Sequence, residues 1–325
     1  MTDLTRRAAL ATGAAAALAS LISPTPSLAV APPSGRQAPG VYRYRVGDFE
    51  MTSISDGVGI RKLDDTFVRN ATVDQVKAAL EEAFLPTDRL TIPYTQLVVN
   101  TGGRLVLLDA GTGARISLET AGLMMDNMAA AGIDPRAIDT VIISHFHADH
   151  IFGLVTRDGQ PAFPNAEVLV PEPEWAFWTD EGQASRATER LKTQFESIQK
   201  TFEPVRKVVK QYRGDTEILP GIEAISARGH TPGHMVFRVS SGSDQLLVLS
   251  DTTNHPALFV RNPGWHAMFD MDPEMAEASR RRILDMAAAD RTRVQSYHFP
   301  FPATGHIAKD GDRYAFVPSA WTSVL

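Results

Sequence analysis

Between Asp139 and His150 the chain reads DTVIISHFHADH, and this stretch limits the possible fold more than any other. Val141, Ile142 and Ile143 form a short β-branched run, the pattern of a strand buried on both faces. His145, His147, Asp149 and His150 follow at once. Histidines at i and i+2 on an extended segment point the same way, so one cation could take a ring nitrogen from each. Asp149 and His150 lie where the chain must bend away from the strand end, within reach of a second cation. A histidine-rich surface turn is the alternative. The chain has only nine histidines in 325 residues, however, and three of them fall in these six positions.

Three further elements complete a pattern. Gly229-His230-Thr231-Pro232-Gly233-His234 is one, Ser250-Asp251 closing the apolar run Leu246–Leu249 is another, and His298 after Val294–Tyr297 is the third. With His145-x-His147-x-Asp149-His150, they resemble the signature of the metallo-β-lactamase superfamily in kind and in order. The resemblance implies an α/β chain with the metallo-β-lactamase fold, a four-layer αββα sandwich. It implies that His145, His147 and His230 hold one metal, that Asp149, His150 and His298 hold the other, and that Asp251 bridges them. Asp149 would also orient the attacking hydroxide. Asp109, in Asp109-Ala110-Gly111, resembles the loop beneath the metals and either orients a ligand or ties that loop. His234 is expected to be structural or to support a ligand, and His255 to reach the cavity. His266 and His306 are expected to be structural.

Within the superfamily the likeness is nearest to the methyl parathion hydrolase group, and runs from about Val41 to the C-terminus. It is carried by Gly47-Asp48-Phe49-Glu50, Ser55-Asp56-Gly57, Ala162–Ala166, Gly305-His306-Ile307 and Tyr314–Pro318. Trp178 falls where that group has a pocket tryptophan. At Arg115-Ile116 and at Thr252–His255 the chain departs from the group's pocket residues.

Composition removes several alternatives. There is no cysteine, so disulfides, thiolate ligands and cysteine nucleophiles are excluded. A net charge of −6 argues against nucleic acid as substrate, because phosphate binding is driven by basic surface. No Gly-x-Ser-x-Gly elbow occurs. Nitrogen and carboxylate ligands suit zinc, with manganese, iron or cobalt able to occupy the same set.

Residues 1–29 read as an export signal: Arg6-Arg7, an alanine-rich apolar stretch, then Ser27-Leu28-Ala29 as a cleavage site. The paired arginines suggest the twin-arginine route and a periplasmic or secreted protein. The apolar run is too short for a stable membrane span. Residues 30–40 are a Pro/Gly/Ser linker, and 41–325 the hydrolase domain.

Along the domain, Tyr42–Val46 and Phe49–Ile54 are expected to form a hairpin at Gly47-Asp48, with Ser55-Asp56-Gly57 ending its second strand. Thr72-Val73-Asp74-Gln75 has capping-box spacing for a helix. Leu118–Ala131 and Arg186–Phe202 carry helical periodicity; the aromatics of Glu174–Thr179 and of the second either pack in the core or, lying where the superfamily places its substrate cover, wall the pocket. Gly153–Ala166 is expected to be loop, Pro273–Ala288 a helix, and Tyr314–Val317 the last strand.

Two cations a few ångströms apart lower the pKa of a coordinated water from about 15.7 to about 7, which gives a nucleophile at neutral pH. The expectation is therefore an exported hydrolase with two divalent metals. Its substrates would be small lactones and aryl esters, extending to phosphotriesters, and the resemblance favours a homodimer. A β-lactamase or thioesterase of the same fold is the enzymatic alternative. A non-catalytic metal-binding protein is the other.

Overall fold

The computed structural model describes residues 33–35, 37–117 and 119–325. The expected export segment, residues 1–29, lies outside them, as does Leu118. Pro39–Leu325 form one compact unit. Among the described residues no helix is long and apolar enough to cross a membrane.

Two seven-stranded sheets make up the unit. The first runs in chain order: β1 (Val41–Val46), β2 (Phe49–Lys62), β3 (Arg89–Asn100), β4 (Leu105–Leu108), β5 (Thr140–Ile142), β6 (Glu167–Pro171) and β7 (Val209–Tyr212). The second runs in reverse, from β14 (Arg313–Pro318) through β13 (Thr304–Asp310), β12 (Arg293–Gln295), β11 (Asp244–Val248), β10 (Met235–Ser241) and β9 (Ile222–Ser226) to β8 (Thr216–Leu219). The β4–β7 pairings and the β11–β12 pairing are parallel, so several strand C-termini end along one edge of each sheet.

Alternation along the strands builds the layers. Leu97, Val99, Val106, Leu108, Ile142 and Leu169 of the first sheet meet Phe237, Val239, Leu246 and Val248 of the second. Their neighbours Val98, Leu107, Val141, Ile143 and Val168 point the other way. They pack on α2 (Met124–Ala130) and α6 (Glu189–Phe202) through Met124, Met128, Phe195, Ile198 and Phe202. On the far side, Val236, Leu247 and Val294 pack on Ile283, Leu284 and Ala287 of α7 (Pro273–Ala289). Three cores between four layers make an αββα sandwich. Val141, Ile142 and Ile143 are fully buried, each contributing about 1.5–3 kcal/mol, and they anchor the strand whose end carries the histidines.

The hairpin closes at Gly47-Asp48, with Val46 paired to Phe49. Thr72 and Gln75 form a reciprocal capping box at the start of α1 (Val73–Glu82). Two expectations are corrected. β2 does not stop at Ser55–Gly57; a bulge there, with Gly57 at φ 97°, lets pairing with β3 continue to Lys62. Of the helix expected over Leu118–Ala131, the described residues are helical only over Met124–Ala130, because Thr120 and Ala121 turn back onto Ser117 and Gly57. The loop expected over Gly153–Ala166 begins with a 3₁₀ turn, Phe152–Leu154, and has no other helix or strand before β6.

Candidate metal centre

The C-terminal ends of strands from both sheets converge on one spot. β5 runs into Ile143, Ser144 and His145. His147 then sits at the N-cap of α3 (Ala148–Ile151), which carries Asp149 and His150. From β9 the chain reaches Gly229, at φ 121°, where an added Cβ would collide with the backbone of Ala276. Only glycine fits there, and His230 follows. β11 leads to Ser250 and Asp251, and β12 to His298. Asp109 (φ 60°) and Ser250 (φ 45°), at equivalent strand ends, hold left-handed backbone that non-glycine residues rarely adopt. Such strain persists where surrounding contacts over-determine it, often at functional sites.

Two groups of ligand-type atoms result. His145, His147, His230 and Asp251 each offer one atom, all within 4.8 Å of one another, and Asp149, His150 and His298 do the same. Asp251 lies between them: Oδ2 is 3.3 Å from His230 Nε2 and 3.0 Å from His298 Nε2, and Oδ1 is 3.2 Å from His150 Nε2. The opposite ring nitrogens are already engaged. His150 Nδ1 meets Asp109 Oδ2 at 2.8 Å, His230 Nδ1 meets Asp270 Oδ1 at 2.9 Å, and His298 Nδ1 meets the Pro93 carbonyl at 2.8 Å. Each contact suits an Nδ1–H donor, which leaves the Nε2 lone pair facing the centre. His150 Nε2, His230 Nε2 and Asp251 Oδ1 are buried without a hydrogen-bond partner. Buried lone pairs aimed at each other are costly unless a cation lies between them, so the residues present fit two divalent metals.

Burial and neighbouring histidine charge hold His145 and His147 far below the usual imidazole range, so both rings are neutral donors of a lone pair. Burial also pulls His150 and His230 down, but the carboxylates around them prevail. Without a cation, His150 therefore ends well above its ordinary value and His230 is pushed up to about 9, so metal binding at Nε2 would displace a proton from each ring. Asp251 is buried, yet the charges of His298 and His150 hold it well below the usual carboxylate range.

Asp109 both orients His150 and ties the loop, since its two oxygens also accept from the Ser144 amide and hydroxyl. His234 is structural: its Nδ1 faces the Ala227 carbonyl and its Nε2 accepts from the Asp251 amide. Burial pulls His234 down to about 3, which keeps that acceptor neutral. His266 pairs with Glu277.

A cavity of about 790 Å³ opens over His147, Asp149, Asp251 and His298, with Ile92, Tyr94, Ile116, Leu191, Met268 and Phe269 among its apolar walls. Two expected pocket residues are corrected. Trp178 is fully buried away from this cavity, packed at a tilt against Phe195, with its Nε1–H donating to Glu174. Its position near the end of α4 (Glu172–Trp178) turns it into the helix-facing core. His255 is buried and off the lining; its neighbour Asn254 lines the cavity instead. Of the aromatic and aliphatic stripe on α6, only Leu191 reaches the cavity.

Two supporting groups escaped the sequence reading. Glu174 is wholly buried, and its carboxylate accepts from the amides of Phe146 and Gly233 and from Trp178. It thereby ties the two histidine-bearing loops together. Asp270 accepts from His230 and from Arg280, whose guanidinium also donates to the carbonyls of Thr252, Pro263 and Trp265. A glutamate in Glu172-Pro173-Glu174-Trp175, or an aspartate after Trp265–Phe269, has no spacing that betrays a partner so distant in the chain.

The fold and this histidine–aspartate centre define a known class. The chain belongs to the metallo-beta-lactamase superfamily, whose family model matches residues 92–298, a span that contains all seven ligand-type residues. Among solved structures it is similar to AidC, a dizinc quorum-quenching lactonase in complex with a product. That pair shares 25% identity at a TM-score of 0.83, over 88% of this chain and 99% of the other. It is also similar to the hydrolase AbOPH of the beta lactamase superfamily, 25% identical with a TM-score of 0.82, over 89% and 100%. Among curated proteins it is 26% identical to an N-acyl homoserine lactonase of Bacillus sp over 49% of this chain and 55% of that protein. A match to ribonuclease Z of Clostridium kluyveri, 38% identical, covers 18% and 16%. The chain thus spans about half the length, or less, of these curated relatives.

Proposed function

We propose that this protein is a metal-dependent hydrolase that opens lactones and small esters at a centre of two divalent cations, zinc first among them. The observation that carries the reading is Asp251, set between two groups of histidines on the floor of a cavity with largely apolar walls. Bound there, two such cations supply a Lewis acid for the target carbonyl and bring the pKa of a water down to about 7. His145, His147 and His230 would hold one cation and Asp149, His150 and His298 the other, with Asp251 set between the two groups. Asp109 and Asp270 fix the tautomers of His150 and His230. The Asp149 side chain is partly open to the cavity, at 19% exposure, and is the group placed to orient the attacking water. Ile92, Ile116 and Leu191 hold the acyl part of the substrate and exclude bulk water.

The similarity to lactonases supports lactones ahead of β-lactams and thioesters. Phosphotriesters are a proposed extension, since the same centre can polarise a P=O. RNA is disfavoured, because the chain carries −6 and the ribonuclease match covers under a fifth of it. The test is a panel of N-acyl homoserine lactones, aryl esters, a phosphotriester, a thioester and nitrocefin on one zinc- or manganese-replete preparation. Lactone and ester turnover is expected, and inactivity on both would overturn the reading. Export by way of residues 1–29 is proposed on the Arg6-Arg7 motif. A native N-terminus found at Met1 would refute it.

A further inference from the structure

We propose that the cavity contains a subsite for an anion, formed by Arg69 and Arg190, and that its substrates carry a carboxylate remote from the scissile carbonyl. The inference rests on the hydrolase reading above and narrows its substrate class.

Both arginines line the cavity that holds His147, Asp149, Asp251 and His298. Arg69 is fixed there: its Nη2 donates to the Met268 carbonyl at 2.6 Å, and its amide to the His266 carbonyl at 2.9 Å. Arg190 lies in the first turn of α6, which presents Leu191 and Gln194 to the same space. Neither guanidinium has a carboxylate partner among the described residues. Other described arginines, Arg115 and Arg206 among them, engage a carbonyl or a ring instead, so what sets Arg69 and Arg190 apart is their place in the lining of the cavity that holds the metal-ligand residues.

The carboxylates that share the cavity are already committed. Asp149 lies 3.5 Å from both His150 and His298. Asp251 faces His230 and His298, and Asp270 is held between His230 and Arg280. Two cationic side chains therefore face the substrate space without a counter-ion from the protein. A guanidinium fork matches a carboxylate in a bidentate geometry, and such charge-assisted bonds are about twice as strong as neutral ones. Both arginines are exposed at the cavity wall, so the contact is screened by salt and is read best at low ionic strength. In a chain of net charge −6 this cationic wall is a local feature, and it would draw anions selectively.

The test compares two p-nitrophenyl esters of equal acyl length, the glutarate monoester and the valerate, on the full metal-loaded chain. In parallel, calorimetry measures glutarate binding to the metal-free protein. At low ionic strength kcat/KM is expected to be about tenfold higher for the carboxylate ester, with the preference shrinking as salt rises. Arg190→Glu should lower the ratio between the two esters by about 100-fold, and Arg190→Lys should retain much of it. Glutarate binding should weaken about tenfold in Arg190→Glu and in Arg69→Gln. Equal turnover of both esters by the parent chain, or an equal fall for both in Arg190→Glu, would overturn the subsite. Arg190-dependent glutarate binding in a protein that cleaves neither ester would keep the subsite and overturn the hydrolase reading. Ester turnover with no charge preference would do the reverse.

Discussion

Replacing Glu174 by Gln removes one charge from the group that joins the two histidine-bearing loops. Glu174 Oε2 accepts from the Phe146 amide at 3.0 Å and from Trp178 Nε1 at 2.9 Å, while Oε1 accepts from the Gly233 amide at 2.6 Å. Every neighbour is a donor. A carboxamide therefore sets its own NH₂ against a donor in either orientation, and one or two bonds are lost. Hydrogen bonds to a charged group contribute about 1.5–3 kcal/mol each. Burial pushes the Glu174 carboxyl up, so part of that loss is offset by removing a buried charge. The net destabilisation expected is about 2–4 kcal/mol, read from urea unfolding of metal-free protein. Phe146 sits between His145 and His147, and Gly233 lies three residues past His230, so both ligand loops loosen. Metal affinity should fall about 10–100-fold, the range seen when supporting partners of ligands are removed. Trp178→Phe removes one of these bonds and leaves a small gap in the core, so it should cost at least about 1.5–3 kcal/mol. An E174Q protein within about 0.5 kcal/mol of the parent, with full metal content, would refute this account of how the loops are held.

Other outcomes follow from the same contacts. Trp178→Ala should destabilise the fold by about 3–5 kcal/mol through a core cavity and leave KM for aromatic esters unchanged; a raised KM at full stability would return Trp178 to the pocket. Asp270→Asn breaks the His230 tautomer lock and should weaken metal binding about 10–100-fold, as read by competition with a chelating dye. Exhaustive chelation should lower the thermal midpoint and abolish lactone turnover, because metals held by buried His150 and Asp251 stabilise only the folded chain. An unchanged midpoint would speak against metals at this site.

Much of the centre was legible because its ligands are local. His145, His147, Asp149 and His150 share one loop, so their spacing singles them out, whereas His230, Asp251 and His298 are scattered along the chain and were picked out by the resemblance to the superfamily. The layers were legible for the same reason, since Val141–Ile143 and Leu246–Leu249 announce buried strands. What stayed hidden depends on contacts distant in the chain. Glu174 reaches Phe146 and Gly233 across two loops, and Arg280 reaches Asp270 from a helix whose pattern shows only amphipathicity. β7 and β8 are short and mostly not buried, so they lack the alternation that marks a strand. Trp178 misled because one turn of helix decides whether a side chain faces the core or the cavity, and family position does not fix that rotation.

Metal stoichiometry is the most direct test of the central claim. The chelated protein would be titrated with zinc or manganese while elemental analysis and lactone turnover are followed together, for the parent and for Asp251→Ala. Two metals per parent chain are predicted, with activity rising as the second is bound, and fewer than two with no turnover in Asp251→Ala. Saturation at one metal or none, or full turnover by the chelated chain, would contradict it.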